Sequence, residues 1–261
     1  MLDIHNHILP GVDDGAATLD VSIAMLDAAL ALGIRTIVAT PHLTEPLSDD
    51  YATTIQAAFE RVEPQARARG IALERGFEIR LSPDLPRRLR AGEPITLAGS
   101  RAVLVDLPFV DDWPLYVDET LFAVQSSGFQ PILAHPERYP RIQRSPELAR
   151  EIAARGVSLQ VNIASLTGIF GRRAKRAAEV LLRSGIVHLV ATDAHSAGHR
   201  MAATPDGLTR LRELVGEGSM RALTIEHPAS LLNGDPLPAP VVAGGKIASL
   251  GLVQRVFASL G

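Results

Sequence analysis

Histidines and acidic residues recur in short clusters along this chain, and the first cluster lies near residue 1. In the stretch "DIHNHILPGVDDG", His5 and His7 are separated by one residue, and Asp14 follows closely. Imidazole and carboxylate groups together suit zinc, manganese or iron. The chain has no cysteine, which excludes disulfides, thiolate metal sites and cysteine nucleophiles. Two histidines alone could arise by chance, so their interpretation depends on the remaining clusters.

Each remaining cluster follows a short run of β-branched or other apolar residues. The clusters are "ATPH", "GFEI", "VLVDLP", "ILAHPER", "QVN" and "ATDAH", and their polar residues are His42, Glu78, Asp106, His135, Asn162, Asp193 and His195. The apolar runs predict seven strands, at residues 2–5, 34–40, 71–77, 102–107, 131–134, 158–162 and 188–192. Helical patterns separate them, at residues 18–32, 49–69, 115–127, 146–155 and 172–184. Glycines such as Gly33 and Gly156 follow these helices, as expected at helix C-termini.

The repeating order of helix, glycine and strand is typical of βα units with a parallel sheet. Seven strands in 261 residues indicate an α/β fold closed into a TIM-barrel-like (β/α) barrel rather than an open sheet. The carboxyl ends of barrel strands carry the active site in this architecture. Five of the eight histidines therefore share one rim with the acidic residues Asp14, Glu78, Asp106 and Asp193.

Nine metal-binding side chains on one rim exceed what a single ion needs. Two or three ions with a bridging carboxylate fit this set. Paired ions about 3.5–4 Å apart clamp phosphoryl groups and generate hydroxide near neutral pH. Of the other histidines, we interpret His188 and His227 as structural, whereas His199 could approach the site.

The overall composition bears on compartment and partners. The net charge of −3 argues against nucleic acid or an anionic membrane as a partner. The absence of cysteine suits a reducing cytoplasm. No apolar run is long enough to span a bilayer, and we expect no signal peptide because a basic segment followed by a long apolar one is missing. Residues 234–245, "GDPLPAPVVAGG", predict a linker before a helical segment at 247–260.

These motifs resemble those of the polymerase-and-histidinol-phosphatase (PHP) family, and more narrowly its bacterial tyrosine-protein phosphatase branch of the capsule and exopolysaccharide type. The stretches that carry the resemblance are "DIHNHILPGVDDG", "ATPH", "GFEI…SPD", "LAHPERY" and "ATDAH…R". The resemblance implies a distorted seven-stranded (β/α) barrel over residues 1–233, which leaves the Pro/Gly-rich linker and C-terminal helical segment at 234–261. It also implies a trinuclear site, usually assigned manganese, with zinc or iron as alternatives.

The same resemblance implies which residues bind each ion. The first ion takes His5, His7, Glu78 and Asp193; the second takes Glu78 as a bridge, Asp106 and His135; and the third takes Asp14, His42 and His195. The family's essential arginines match Arg138 and Arg200. The ligand on the fourth strand is usually glutamate in this branch. Because Asp106 is one methylene shorter, its coordination could be direct, water-mediated or weakened.

The expected reaction is hydrolysis of a phosphate monoester by metal-activated hydroxide, with the ions and both guanidiniums neutralising the phosphate. The resemblance implies phosphotyrosine as the substrate, on a protein partner that we expect to be a bacterial tyrosine kinase controlling polysaccharide synthesis. The phenolate leaving group has a solution pKa of about 10, so a strong general acid is less necessary. Without cysteine, a phosphocysteine route is impossible.

Three other functions remain open. A small-molecule phosphatase, such as histidinol phosphatase, would use the same site. A metal-dependent amidohydrolase shares the H-x-H motif, but its usual bridging modified lysine has no counterpart, because neither Lys175 nor Lys246 ends a predicted strand. A non-catalytic, metal-stabilised PHP interaction module is the third, and the retention of all predicted ligands and both arginines argues against it.

Two further stretches bear on substrate recognition. In "PFVDDWPLY", the aromatic side chains of Phe109, Trp113 and Tyr116 could hold a tyrosine ring near the metals, with ordinary packing as the alternative. The basic stretch "GRRAKR", residues 171–176, begins a predicted helix. Most such stretches are solvated helix faces, and docking of an acidic or phosphorylated kinase tail is the alternative. The sequence does not specify an oligomeric state.

Overall fold

Parallel strands alternate with helices in the computed structural model, which describes residues 1–240. Within that range the strands are β1 (Leu2–Asn6), β2 (Thr36–Ala39), β3 (His42–Leu43), β4 (Ala72–Arg75), β5 (Glu78–Arg80), β6 (Ala102–Asp106), β7 (Gln130–Ala134), β8 (Ser158–Asn162) and β9 (Leu189–Ala191). The α-helices are α1 (Leu19–Ala31), α2 (Asp49–Ala68), α3 (Leu85–Arg90), α4 (Val117–Ser126), α5 (Pro140–Arg144), α6 (Glu147–Ala154), α7 (Arg172–Arg183), α8 (His199–Ala202), α9 (Thr204–Val215), α10 (Glu217–Arg221) and α11 (His227–Leu232). Short 3₁₀ turns lie at Leu97–Gly99, Pro136–Arg138 and Ile163–Thr167.

The strands form two sheets in which every pairing is parallel. One sheet has the order β1-β2-β4, and the other has the order β3-β5-β6-β7-β8-β9. The predicted α/β class with a parallel sheet is therefore confirmed. The predicted seven-stranded barrel is not confirmed, because the described residues form nine strands in two sheets.

The two additional strands follow two of the predicted strands, each after a short break. The strand predicted at 34–40 forms as β2, and β3 begins only after Pro41, which has no N–H to donate to a ladder. The strand predicted at 71–77 forms as β4, which ends before Gly76 and Phe77, and β5 begins at Glu78. A Cβ atom on Gly76 would lie 2.7 Å from a side-chain carbon of Leu97, so only glycine fits where this strand bends. After each break the chain continues into β3 and β5, which begin with His42 and Glu78.

The first and last strands lie side by side at their carboxyl ends. The amide of Asp193 donates to the carbonyl of His5, and the amide of His7 donates to the carbonyl of Ala194, each at 2.9 Å. Asn6 and Ala194 form an isolated parallel bridge. These contacts place the H-x-H motif directly beside the "ATDAH" motif, although the two are far apart in sequence.

The helices that position the strands follow the sequence closely. The five predicted helices form with boundaries within two residues of those expected. Thr18 caps α1 and Ser48 caps α2, each accepting a backbone N–H with its side-chain oxygen. Gly33 and Gly156 adopt positive φ angles of 73° and 87° just after helices, as predicted for C-terminal positions.

Two apolar clusters fill the fold. The larger packs strands against helices, and the smaller contains strand residues such as Ile4, Val38 and Leu104 together with Leu231 of α11. Among residues 1–240, no helix combines the length and apolar character needed to cross a membrane. The predicted helical segment at 247–260 and residues 241–245 of the predicted linker lie outside the described residues.

Candidate metal centre

Eight of the nine predicted metal ligands lie together, where β1, β7 and β9 end and where β3 and β5 begin. Within residues 1–240, potential ligand atoms lie within 4.8 Å of one another in three groups: His7, Asp14, His42 and His195; His5, Glu78 and His135; and His5, His7 and Asp193. Three overlapping groups at one rim suit a polynuclear site.

His5 and His7 point the same ring atom at the same space. Their Nε2 atoms lie 3.2 Å apart. On the other side of each ring, Nδ1 of His5 lies 2.9 Å from Oε1 of Gln160, and Nδ1 of His7 lies 2.7 Å from Oδ2 of Asp13. Both partners are acceptors, so each Nδ1 carries the proton and each Nε2 is left as the ligand atom. Two such atoms in contact require a cation or a proton between them and the carboxylates.

Glu78 supplies the carboxylate at the centre of the cluster. Its Oε2 atom lies 2.9 Å from Nδ1 of His42 and 3.3 Å from Nε2 of both His5 and His7. Its Oε1 atom lies 2.8 Å from Nε2 of His135. Glu78 is 1% exposed, yet Oε2 has no hydrogen bond with acceptable geometry in the described part of the chain. A buried acceptor among imidazole nitrogens fits a bridging ligand for cations.

Asp193 is held by neutral and charged donors. Nδ2 of Asn162 donates to its Oδ2 at 2.6 Å, and Nε2 of Gln160 donates to Oδ1 of Asn162 at 2.9 Å. Gln160 then accepts from Nδ1 of His5. This relay, defined as His5, Gln160, Asn162 and Asp193, connects two predicted ligands of the same ion through strand β8.

A more exposed group lies at the mouth of the site. Oδ1 of Asp14 lies 3.2 Å from Nε2 of His42 and 3.3 Å from Nε2 of His195. The Asp14 side chain is 68% exposed, in contrast to the buried residues around Glu78. The ion expected here would be the one most open to solvent.

Asp106 differs from the other predicted ligands. It lines the same pocket, but it belongs to none of the three groups. Arg80 binds its carboxylate through two nitrogens, with Nε 3.0 Å from Oδ1 and Nη2 2.8 Å from Oδ2. Its role as a ligand remains a prediction.

The two predicted arginines both reach Asp193. Nη1 of Arg200 lies 2.5 Å from its Oδ1 and donates to its carbonyl at 2.6 Å, and the same nitrogen lies 2.8 Å from Nδ1 of His195. Arg138 makes a longer contact, 3.3 Å from Nη1 to Oδ2. Arg200 is therefore built into the ligand cluster, whereas most of the Arg138 donors remain available to an anion.

Aromatic rings hold the Arg138 guanidinium in place. Its central carbon lies 4.6 Å from the ring centre of Phe109 and 4.4 Å from that of Phe170. Phe109 is 49% exposed and lines the pocket. Trp113 instead packs edge-on against Tyr139. Of the aromatic stretch singled out in the sequence, Phe109 is the residue that faces the site.

The buried groups at the centre of the site hold one another in their ionised forms, whereas His195 is held neutral. Burial acts to lower the pKa of His5 and of His7, but nearby carboxylates have the larger effect. The pKa of His5 is therefore raised, and the pKa of His7 is raised well above its ordinary value. Burial acts to raise the pKa of Glu78 and Asp193, yet the charge of His5 holds both well below their usual range. Burial, then the charge of His7, lowers the pKa of His195 to about 4. Imidazole protons in such a cluster are exchanged for cations when metal binds.

Two predicted ligands have unusual backbone conformations. His135 and Asp193 adopt positive φ angles of 35° and 52°. This left-handed region is sparsely populated by residues other than glycine and often marks functional sites. The pocket between these residues encloses about 140 Å³, which suits a small polar group rather than a large ligand.

The remaining histidines lie elsewhere among the described residues. Nδ1 of His227 lies 2.7 Å from the carbonyl of His188, and Nδ1 of His188 accepts from the amide of Leu159 at 3.3 Å. His199 packs edge-on against Phe170 and belongs to none of the three groups. These positions agree with structural roles for His188 and His227.

The sequence interpretation missed three residues that support the site: Asp13, Gln160 and Arg80. Asp13 was present in "VDDG", but spacing could not tell which of the two adjacent acids supports a histidine. Gln160 could have been noticed as a polar residue inside an apolar strand, where burial requires a partner.

Residues 1–233 match the family model described as "Capsular polysaccharide synthesis, CpsB/CapC". The chain is 33% identical over 247 residues to tyrosine-protein phosphatase YwqE of Bacillus subtilis (strain 168), covering 92% of this chain and 96% of the relative. It is 28% identical over 239 residues to tyrosine-protein phosphatase CpsB of Streptococcus agalactiae, covering 89% of this chain and 98% of the relative.

A solved structure is similar over almost the whole chain. It is one of the crystal structures of YwqE from Bacillus subtilis and CpsB from Streptococcus pneumoniae, which are metal-dependent tyrosine phosphatases. The TM-score is 0.79 at 31% sequence identity, with 92% of this chain and 99% of the other covered.

Proposed function

Because the chain belongs to the CpsB/CapC family of capsular polysaccharide synthesis, we propose that it is a metal-dependent phosphatase that removes phosphate from phosphotyrosine in proteins. One observation carries the proposal: the buried Oε2 atom of Glu78 has three imidazole nitrogens within 3.3 Å and no hydrogen bond of its own. The relatives named as tyrosine-protein phosphatases, which match over most of the chain, support the reaction type.

We propose two or three divalent cations at this site, with manganese expected and zinc or iron as alternatives. The residues that would hold them are His5, His7, Asp14, His42, Glu78, Asp106, His135, Asp193 and His195. All are nitrogen or oxygen donors, which fits these metals. When bound, such ions neutralise phosphate charge and lower the pKa of water.

The remaining steps depend on the chain's own residues. Arg138 and Arg200 would bind the non-bridging phosphate oxygens, and the planar guanidinium fork suits that geometry. Phe109 and Phe170 fix the plane of the Arg138 guanidinium, so little ordering is needed when the substrate arrives. Phe109 also offers an exposed ring at the pocket mouth, where the ring of a phosphotyrosine would lie.

The chemistry of the leaving group determines whether the site needs a general acid. A tyrosine phenolate leaves with a solution pKa of about 10, so protonation by a dedicated acid is less necessary than for an alkyl phosphate. The absence of cysteine excludes a covalent cysteine route. Histidinol phosphatase activity remains the second candidate on sequence grounds, and the aromatic residue at the pocket mouth favours an aryl phosphate over it.

We extend the proposal to the fold and the setting. The contacts between β1 and the residues after β9 support the view that the two sheets are parts of one distorted seven-stranded barrel over residues 1–233. The expected partner is a bacterial tyrosine kinase involved in capsule or exopolysaccharide synthesis, and the expected compartment is the cytoplasm.

Reconstitution with single metals tests the proposal. Metal-depleted protein should hydrolyse neither phosphotyrosine peptide nor histidinol phosphate, and manganese should restore activity, with the peptide preferred. Thiol alkylation should leave the rate unchanged. Full activity after exhaustive metal removal would refute the proposal, and a preference for histidinol phosphate would select the alternative.

A further inference from the structure

A basic groove adjoins the catalytic pocket, and the proposed function does not require it. The groove encloses about 640 Å³ and is lined by residues of α5, α7 and the segment before α4, including Asp111, Pro140, Arg144, Arg173 and Arg176. We propose that this groove binds an acidic segment of the phosphotyrosine polypeptide, next to the residue being dephosphorylated. This inference rests on the proposed function.

Two chain segments that line the groove begin in the lining of the catalytic pocket, and a third follows Phe170, whose ring contacts Arg138. Asp111 follows Phe109 by two residues, Pro140 follows Arg138 by two residues, and Arg173 follows Phe170 by three residues. Phe109 and Phe170 are the rings that flank the Arg138 guanidinium. A polypeptide that leaves the pocket on this side therefore enters the groove.

The spacing defines which substrate residues would reach it. The groove lining follows the pocket by two or three residues, a distance of at most about 7–11 Å along the chain. An extended peptide covers roughly 3.3 Å per residue. Acidic residues two to four positions from the phosphotyrosine are therefore the ones that would meet the groove.

The charges that line the groove favour the binding of carboxylates. Arg173 and Arg176 are exposed and, being three residues apart on α7, lie on neighbouring turns of one helix face. Among residues 1–240, no carboxylate oxygen lies within 4.0 Å of either guanidinium. Asp111, the acidic residue that lines the groove, is already bound by Arg144 at 2.7 Å. The groove therefore has an excess of cationic donors.

Matched peptides test the inference. One phosphotyrosine peptide carries glutamate three residues to either side of the phosphotyrosine, and the other carries glutamine there. The wild-type protein should show a KM about three- to tenfold lower for the glutamate peptide, the range that two exposed ion pairs provide. The kcat should be the same for both.

A double variant and a matched control locate the effect. Arg173→Gln with Arg176→Gln should abolish the preference while leaving kcat and the hydrolysis of p-nitrophenyl phosphate, which is too small to reach the groove, unchanged. Arg61→Gln with Arg183→Gln removes two exposed arginines outside the groove lining and should keep the preference. Arg173→Glu with Arg176→Glu should invert the preference, toward a lysine-flanked peptide.

The outcomes separate the two proposals. Equal KM values in the wild type, a preference that survives the groove variant, or an equal loss in the control variant would overturn the groove inference alone. Hydrolysis of neither peptide by the manganese-loaded protein would refute the proposed function, and the groove inference with it.

Discussion

Oε1 of Gln160 lies 2.9 Å from Nδ1 of His5, which ties a buried amide of β8 to the first histidine of the site. Exchanging the oxygen and nitrogen of the Gln160 amide by a 180° rotation would break hydrogen bonds, because the nitrogen donates to Asn162. Asn162 in turn donates to the carboxylate of Asp193. A carboxylate only accepts, so the direction of every hydrogen bond along the relay is determined. His5 consequently keeps its proton on Nδ1 and offers Nε2.

Replacing Gln160 should weaken metal binding. Gln160→Leu removes the acceptor for His5, and partners of metal-binding histidines typically contribute about 10–100-fold to affinity. We expect a loss of that size in calorimetric titration of metal-depleted protein with manganese. Gln160→Glu retains the acceptor and should lose less. A folded Gln160→Leu protein, verified by circular dichroism, that binds manganese as tightly as wild type would contradict the prediction.

Removing Arg138 should reduce turnover without removing metal. Its carboxylate contact is long, and its side chain, 21% exposed, faces the pocket. Arg138→Ala should lower kcat by about 10²–10³-fold, the loss typical of one missing transition-state donor. Metal content and turnover are measured on the same sample. A parallel fall in bound metal would show that Arg138 only holds Asp193, and wild-type turnover would exclude both roles.

Arg200 should behave differently, because it contacts the side chain and the backbone carbonyl of Asp193 and also His195. Arg200→Ala should lower bound metal and turnover together. The free energy of unfolding should also fall by about 1–3 kcal/mol, because a buried charged partner is lost. Elemental analysis and thermal melts, run beside Arg138→Ala, give the comparison. Unchanged metal content in Arg200→Ala would disprove the distinction.

Asp106→Glu should increase metal binding at the second proposed ion. In the wild type, Asp106 is engaged by Arg80 and lies outside the ligand groups. One additional methylene would extend its carboxylate, and glutamate is usual at this position in the branch that the sequence resembles. We expect more manganese per chain at limiting metal concentration. Equal or lower content than wild type would show that Asp106 is already well placed.

Acid should destabilise the protein through His188, which belongs to none of the three predicted metal-binding groups. Burial, then the charge of His227, lowers the pKa of His188 to about 4, whereas the unfolded chain has a pKa of about 6.5. Below about pH 6.5 the unfolded state binds a proton that the folded state does not bind until about pH 4. Stability from this source is therefore present at neutral pH and decreases between these values.

The corresponding measurement compares His188→Asn with wild type. Both proteins are melted at pH 7 and pH 4.5 in the same metal state. Wild type should lose about 1–2 kcal/mol more than the variant, since the side chain is only partly buried. An equal decrease in both would exclude His188 as a source of acid sensitivity.

The sequence predicted the parts of this molecule that depend on local patterns. Strand β8 forms at the predicted residues, and α7 begins at the predicted Arg172. The rule that active-site residues lie at strand carboxyl ends predicts that His5, Glu78 and Asp193 share one rim, because it depends only on parallel topology.

What the sequence could not predict depends on contacts between distant residues. The break at Gly76 arises from the approach of Leu97, and the pairing of Arg80 with Asp106 depends on the register of two strands. Likewise, Asp13 and Asp14 are equivalent in spacing. Only the direction of the turn determines that Asp13 contacts His7 and Asp14 contacts His42. Local periodicity contains no information on such pairings.

The left-handed backbone conformation of His135 and Asp193 means that the residue best for stability and the residue best for activity differ at these two positions. Each such residue costs on the order of 1–3 kcal/mol, and glycine would adopt the same φ angles without strain. Glycine would also delete a proposed metal ligand. Selection for thermal tolerance alone should therefore favour variants that lose the metal, whereas selection that includes turnover should leave both positions untouched. A library screened both ways would reveal this trade-off as opposite enrichment at these two residues.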